Sequence, residues 1–217
     1  MKTYYQCNSC SQLTCEDRQH WEAADKECNV RTGWFDTELA LFDCHQMLAF
    51  ARHCLEEAPE SWWTQPASSS GKYHPAFAVE EAGLIKHTKA AVLVFEDMIE
   101  MVSGFGVADK DIMLLAILFH DTTKYVDGQD GYTNRDHPKT GARWLLDRLD
   151  EFACQDNEDT QELSNKVKLA AKCIATHMGR WYPTQYHKDS NIRALQKFVH
   201  MADYISSRKF MGNYERS

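Results

Sequence analysis

Residues 112–119, Ile-Met-Leu-Leu-Ala-Ile-Leu-Phe, are apolar at every position, and the run ends abruptly in His120-Asp121. A helix apolar on all faces is a buried helix, so this end lies deep in the protein. Elsewhere apolar positions recur near the helical period. One such helix runs from Asp36, which can cap it, to about Ala58 before Pro59, with Leu39, Phe42, Met47, Phe50 and Cys54 as its stripe. A second runs from Leu84 to Val102 through Val92, Phe95, Met98 and Ile99, and ends at Gly104 and Gly106. Asp109 caps the central helix. His137-Pro138 opens another, with Trp144, Leu145 and Leu149. Two more cover about Gln161–His177 and Ile192–Phe210. Residues 59–83 read as a loop rich in Ser, Gly and Pro. Its Trp62, Trp63, Tyr73 and Phe77 either pack it onto the core or wall a pocket. No strand pattern or repeat appears, so the expected architecture is an all-α helical bundle.

Two segments follow from this pattern. Residues 1–60 form a polar N-terminal extension with a support helix, and residues 61–217 form the main domain. Hydrophobic residues make up 43% of the 217-residue chain, enough for a sizeable core. The net charge of −8 excludes a broad nonspecific grip on nucleic-acid backbone, yet leaves room for a local basic pocket. The polar start carries no export signal, and no apolar stretch is long enough to span a bilayer, so a cytoplasmic protein without membrane contact is expected. In that compartment the eight cysteines are free thiols or metal ligands rather than disulfides. Cys7, Cys10, Cys15 and His20 have the count of a small structural zinc site, with Cys28 competing as the fourth ligand. The bland reading is a Cys-rich segment packed on the main domain.

Six polar residues stand where the helical pattern calls for apolar ones or at helix ends: His87, His120, Asp121, His137, His177 and Asp203. Singly, each is a capping or packing residue. His120-Asp121 alone is either a buried hydrogen-bonded pair or part of a metal site. Together, nitrogen and carboxylate donors brought to one place in a bundle suit one or two divalent transition metals, with Mn, Fe, Ni, Co and Mg equally compatible. Lys124, Arg180 and Arg208 offer positive charge nearby, with Arg208 read as solvent-exposed. Lys124 is placed best, and Arg180-Trp181 follows His177 closely enough to line the same mouth.

The order His87, His120-Asp121, Asp203 resembles the HD-domain superfamily of metal-dependent phosphohydrolases. So do Gly83-Leu-Ile-Lys-His87-Thr88, Leu118-Phe-His-Asp-Thr-Thr-Lys124 and His137-Pro-Lys-Thr-Gly141. The resemblance spans roughly residues 62–210. It implies that His87, His120, Asp121 and Asp203 hold a first metal. Asp121 would then bridge to a second held by His137 and His177, and Lys124 would approach a substrate phosphate. The chain departs from binuclear relatives in Thr122-Thr123 and in its single histidine at His177.

The expected activity is cleavage of a phosphate ester of a nucleotide, or of a phosphodiester, by metal-activated hydroxide. Asp121 and Lys124 would act at the reacting centre, and Lys124, Arg180 and Trp181 would contact a small phosphorylated substrate, a nucleotide or short oligonucleotide. Trp62, Trp63 or Trp181 could stack on its bases. Two other classes fit the same residues. One is an HD-type di-iron oxygenase. The other is a non-enzymatic binding module whose N-terminal cysteines hold zinc. Oligomeric state is not legible in the sequence.

Overall fold

The apolar run 112–119 is the heart of a helix around which the others are laid. In a computed structural model, which describes residues 31–68, 71–126, 133–152, 158–183 and 185–213, eight α-helices are present among the described residues and no strand. They are α1 (Asp36–Leu39), α2 (His45–Glu56), α3 (Glu60–Thr64), α4 (Gly83–Met101), α5 (Val107–Phe119), α6 (His137–Phe152), α7 (Glu158–Ile174) and α8 (Ser190–Ser206). Every residue of α5 from Asp111 to Phe119 is buried. Helices α4, α7 and α8 pack around it, and α6 lies on α7. The bundle is all-α, as its sequence pattern requires. None of its helices is long and apolar enough to cross a membrane.

The N-terminal support helix is two helices, not one. The chain leaves α1 after Leu39, and the break has a tertiary cause. The backbone N–H groups of Asp43 and Cys44 donate to the Asp111 carboxylate at 3.0 and 2.9 Å. They are therefore unavailable to helical carbonyls. Cys44, the residue before α2, offers no side-chain cap of its own, so a buried carboxylate on α5 caps α2 from across the core. Burial raises the Asp111 pKa, and the two N–H donors work against that rise. Asp111→Ala is expected to cost about 1–3 kcal/mol, because it leaves two part-buried backbone donors without their acceptor. A shift in the urea midpoint checks this; an unchanged midpoint would mean that water replaces the cap.

The described parts of 59–83 hold more regular structure than their composition predicts. Trp62 and Trp63 sit in α3 and are buried, and a 3-10 turn spans Ala76–Ala78. They pack the segment onto the core, and Trp63 also lines a surface pocket with Arg31, Trp34 and Lys86. The loop also shapes the entry to α4. Ala82 adopts a left-handed conformation (φ 55°), and a Cβ on Gly83 would lie 2.4 Å from the Ala78 carbonyl oxygen. Only glycine allows that approach. The Leu84 N–H, unpaired within α4, donates to the Gln65 carbonyl at 3.0 Å. This fixes where α4 starts, and so where His87 points.

The last helix begins at Ser190, where the Asp189 carboxylate accepts from the Asn191 and Ile192 N–H groups. It ends at Ser206, and a 3-10 segment, Lys209–Asn213, folds onto the Ala76–Ala78 turn.

Candidate metal centre

All six polar residues that break the helical pattern meet in one place. His87 lies one turn into α4, and His120 and Asp121 directly follow α5. His137 opens α6, His177 lies in the turn after α7, and Asp203 sits in the last turn of α8. Five of the six are buried, and the side chain of Asp203 is 20% exposed, so the site opens on the Asp203 side.

The geometry centres on the two oxygens of Asp121. Its Oδ2 faces His87 Nε2 at 3.8 Å and His120 Nε2 at 3.5 Å. Its Oδ1 faces His137 Nε2 at 3.1 Å and His177 Nε2 at 3.6 Å. The first imidazole pair is completed by Asp203, whose Oδ1 lies 3.1 Å from His87 Nε2 and 3.5 Å from His120 Nε2. Within each pair the Nε2 atoms are close, 3.2 Å for His87 and His120 and 3.1 Å for His137 and His177.

The other ring nitrogens decide what those approaches mean. His120 Nδ1 donates to the Ile117 carbonyl at 2.7 Å, His137 Nδ1 to Asn134 at 2.8 Å and His177 Nδ1 to Ile174 at 2.7 Å. A carbonyl can only accept, so Nδ1 carries a proton, and in its neutral form each of these rings presents a lone pair at Nε2. Two lone pairs turned on each other at 3.1 Å repel unless a proton or a cation lies between them. Two ligands bound side by side on one metal at about 2.1 Å stand roughly 3 Å apart, which matches. A backbone carbonyl behind a ligating imidazole is the usual outer support of a metal site. Among the described residues two groups are close enough to hold a metal, His87, His120 and Asp121, and Asp121, His137 and His177; Asp203, 3.1 Å from His87 and 3.5 Å from His120, adds a further donor to the first.

Without a cation the chain balances this charge itself. Lys124 Nζ donates to Asp121 Oδ2 at 2.6 Å. Burial pushes the Asp121 carboxyl up, but Lys124, His120 and the adjoining His137 and His177 imidazoles outweigh it and hold it well below the usual range. Burial likewise opposes the His120 imidazolium, and Asp121 and Asp203 carry its pKa up to about 9. Burial lowers His87 and His177.

Several residues support the ligand candidates from behind. Asn134 holds His137 through its carbonyl, and its Nδ2 donates to Thr140 Oγ1 at 3.0 Å. Thr123, where the chain departs from binuclear relatives, bonds Thr140 Oγ1 at 2.7 Å and so ties the α5 end to α6. Gly141 lets α6 approach closely: a Cβ there would meet Ile174 at 3.3 Å and the His120 carbonyl at 3.5 Å. His200 Nδ1 donates to the His177 carbonyl, and the space its ring occupies exists because residue 179 is glycine at φ 54°. Arg180 is exposed beside half-exposed Trp181, which stacks on Tyr204. Arg208 does not float in solvent, as its sequence position predicts; it lies over the Tyr204 ring at 4.2 Å. Cys7, Cys10, Cys15 and His20 lie outside the described residues.

His74, which the sequence leaves outside the site, stands edge-on to His87 with ring centroids 5.6 Å apart. Burial, then His87 and Lys124, press its pKa down to about 4 from an ordinary 6.5. Because the folded value is the lower one, the unfolded chain takes this proton first. The contribution of His74 to stability is therefore complete above pH 6.5 and lost as pH falls toward 4. In chelator, the urea midpoint of the wild type is expected to fall between pH 7 and pH 5 by more than that of His74→Gln. Identical pH dependence in the two would rule His74 out as the group responsible.

The family model described as HD domain matches residues 84–208. No match is found among curated proteins or solved structures.

Proposed function

The chain belongs to the HD-domain family, and from that premise we propose that it is a metal-dependent phosphohydrolase cleaving a phosphate ester of a nucleotide or a phosphodiester. Family membership points to metal-dependent hydrolase chemistry in general. The observation that carries the finer reading is the Asp121 carboxylate, with one oxygen turned to each pair of inward-facing imidazoles. Divalent metals held there would lower the pKa of a water and offset negative charge building on a phosphoryl group.

The protein's own part follows from its residues. Asp121 spans the two halves and fixes their separation. Lys124, mostly buried beside it, supplies an ammonium at the reacting centre for a phosphate oxygen. Burial of His87, His120 and His177 keeps bulk water from the inner wall, so the attacking water and substrate enter on the Asp203 side. Arg180 and Trp181, on the turn after His177, contact the rest of the substrate. These cations favour an anionic substrate; the di-iron oxygenase reading makes no use of them.

Product analysis on a panel of nucleotides, phosphomonoesters and phosphodiesters with added manganese tests this, with Asp121→Ala as control. Cleavage by the wild type alone is the expected result, and the product names the bond cut. A metal-loaded wild type that cleaves nothing on the panel, yet consumes oxygen with two irons bound, would overturn the proposal in favour of the oxygenase.

A further inference from the structure

We infer that a row of alternating cations and aromatic rings beside the metal centre is a track for single-stranded nucleic acid, leading a strand end to the reacting site; the inference rests on the phosphohydrolase reading. Lys72 Nζ lies 5.1 Å from the Tyr73 ring centroid, and the Arg208 guanidinium 5.8 Å from the same ring. Arg208 also covers Tyr204 at 4.2 Å. Tyr204 stacks on Trp181 at 5.6 Å with 19° between planes, and Arg180 covers Trp181 at 4.5 Å. The row is continuous across three separate parts of the chain.

It is also anchored to the centre at three points. Tyr204 follows Asp203, Trp181 sits on the turn after His177, and Tyr73 precedes His74, which stands against His87. The row therefore flanks the side on which Asp203 is exposed. Tyr73 and Trp181 remain about half exposed, at 53% and 50%. These rings are not consumed by the core.

The chemistry selects the ligand. Among the described residues neither Arg180 nor Arg208 has an acidic partner. Arg208 Nε and Nη2 are used on the Tyr204 carbonyl and the Ser207 hydroxyl, which fixes the guanidinium plane and leaves Nη1 free. A guanidinium seated over a ring and fixed by two of its nitrogens keeps its remaining N–H groups for phosphate oxygens. Guanidinium planes and exposed rings also stack bases of any sequence. In a chain of net charge −8, unpaired arginines gathered at one mouth are a local attraction for an anion. The row outruns a single nucleotide, since it carries three cations and three rings in succession. That length favours a strand over a mononucleotide.

Fluorescence anisotropy of a short fluorescein-labelled oligothymidylate, titrated with the full chain in EDTA, tests the track without turnover. Wild type is expected to bind, with affinity falling as salt rises. Trp181→Ala and Arg208→Lys are each expected to weaken binding about tenfold. Arg208→Lys keeps the charge and loses the flat fork, so its loss reads stacking and phosphate geometry rather than charge. Thermal unfolding of each variant confirms that it is folded. Absence of wild-type binding, unchanged affinity in both folded variants, or equally tight binding of thymidine monophosphate overturns the inference. So does binding to anionic vesicles in preference to the oligonucleotide. Hydrolysis of bis(p-nitrophenyl) phosphate with manganese reads the metal chemistry separately. Hydrolysis without strand binding defeats the track alone, and strand binding without hydrolysis of any ester defeats the phosphohydrolase reading alone.

Discussion

Asp121→Ala is expected to empty both halves of the metal centre at once and to lower hydrolysis at least about a thousandfold, the several kcal/mol that a polarising cation supplies. The expectation rests on the division of one carboxylate between two imidazole pairs, Oδ2 toward His87 and His120 and Oδ1 toward His137 and His177. Alanine removes an oxygen from each half. His137→Ala or His177→Ala takes a donor from one half only, so metal content should fall from two ions per chain to one. Removing Asp121 also leaves Lys124 without its 2.6 Å partner in a mostly buried position, which costs stability. Asp121→Asn keeps the shape with less disruption, and it is the variant to use if the alanine form is poorly folded. Metal content per chain after gel filtration, together with turnover, decides the matter. Two ions retained in a folded Asp121 variant would mean that the carboxylate does not bridge.

The largest stability effect is expected at Trp62. The ring is fully buried, stacks on Phe35 at 5.5 Å with 12° between planes, and meets Trp63 at 4.9 Å and Phe119 at 6.1 Å. Trp62→Ala opens a cavity among rings that cannot collapse into it, at about 3–5 kcal/mol. Phe119 is the residue before His120, so the same cavity loosens the seat of one imidazole. The indole N–H has no acceptor among the described residues. Trp62→Phe, which discards that unpaired donor and keeps most of the contact, should therefore cost much less. Equilibrium unfolding in urea measures both. An alanine variant as stable as the phenylalanine one would show that the cluster repacks.

Periodicity made the outer helices legible because each buries one stripe, and the unbroken apolar run marked the buried central helix. It also placed His87, His120, His137, His177 and Asp203 at or near helix ends, where polar residues could converge. Bounds were looser where a tertiary bond competes with the helix. Nothing near Asp43 announces that its N–H will turn to Asp111, sixty-eight residues on. Density of Ser, Gly and Pro similarly hid α3, because burial of Trp62 and Trp63 outweighs the local preference for irregular chain. Asn134 and Thr123 support ligand candidates through a backbone carbonyl and a hydroxyl pair, contacts with no sequence pattern, whereas the place of His200 one turn before Asp203 already pointed to a supporting role. Arg208 was misread for the same reason: only folding brings it over Tyr204.

The carbonyls behind His120, His137 and His177 have a consequence for how an ion and the fold depend on each other. Each imidazole is tethered to the carbonyl three residues before it, so its two torsions are fixed during folding and little side-chain entropy is left to lose when an ion arrives. The same tethers prevent the rings from turning away from one another. The fold thus confines facing Nε2 atoms that rotatable side chains would separate, and an ion would satisfy them by occupying the point they share. Capture and cohesion become one equilibrium: the tighter the ion binds, the further it draws the population from the unfolded chain, by RT ln(1 + [ion]/Kd).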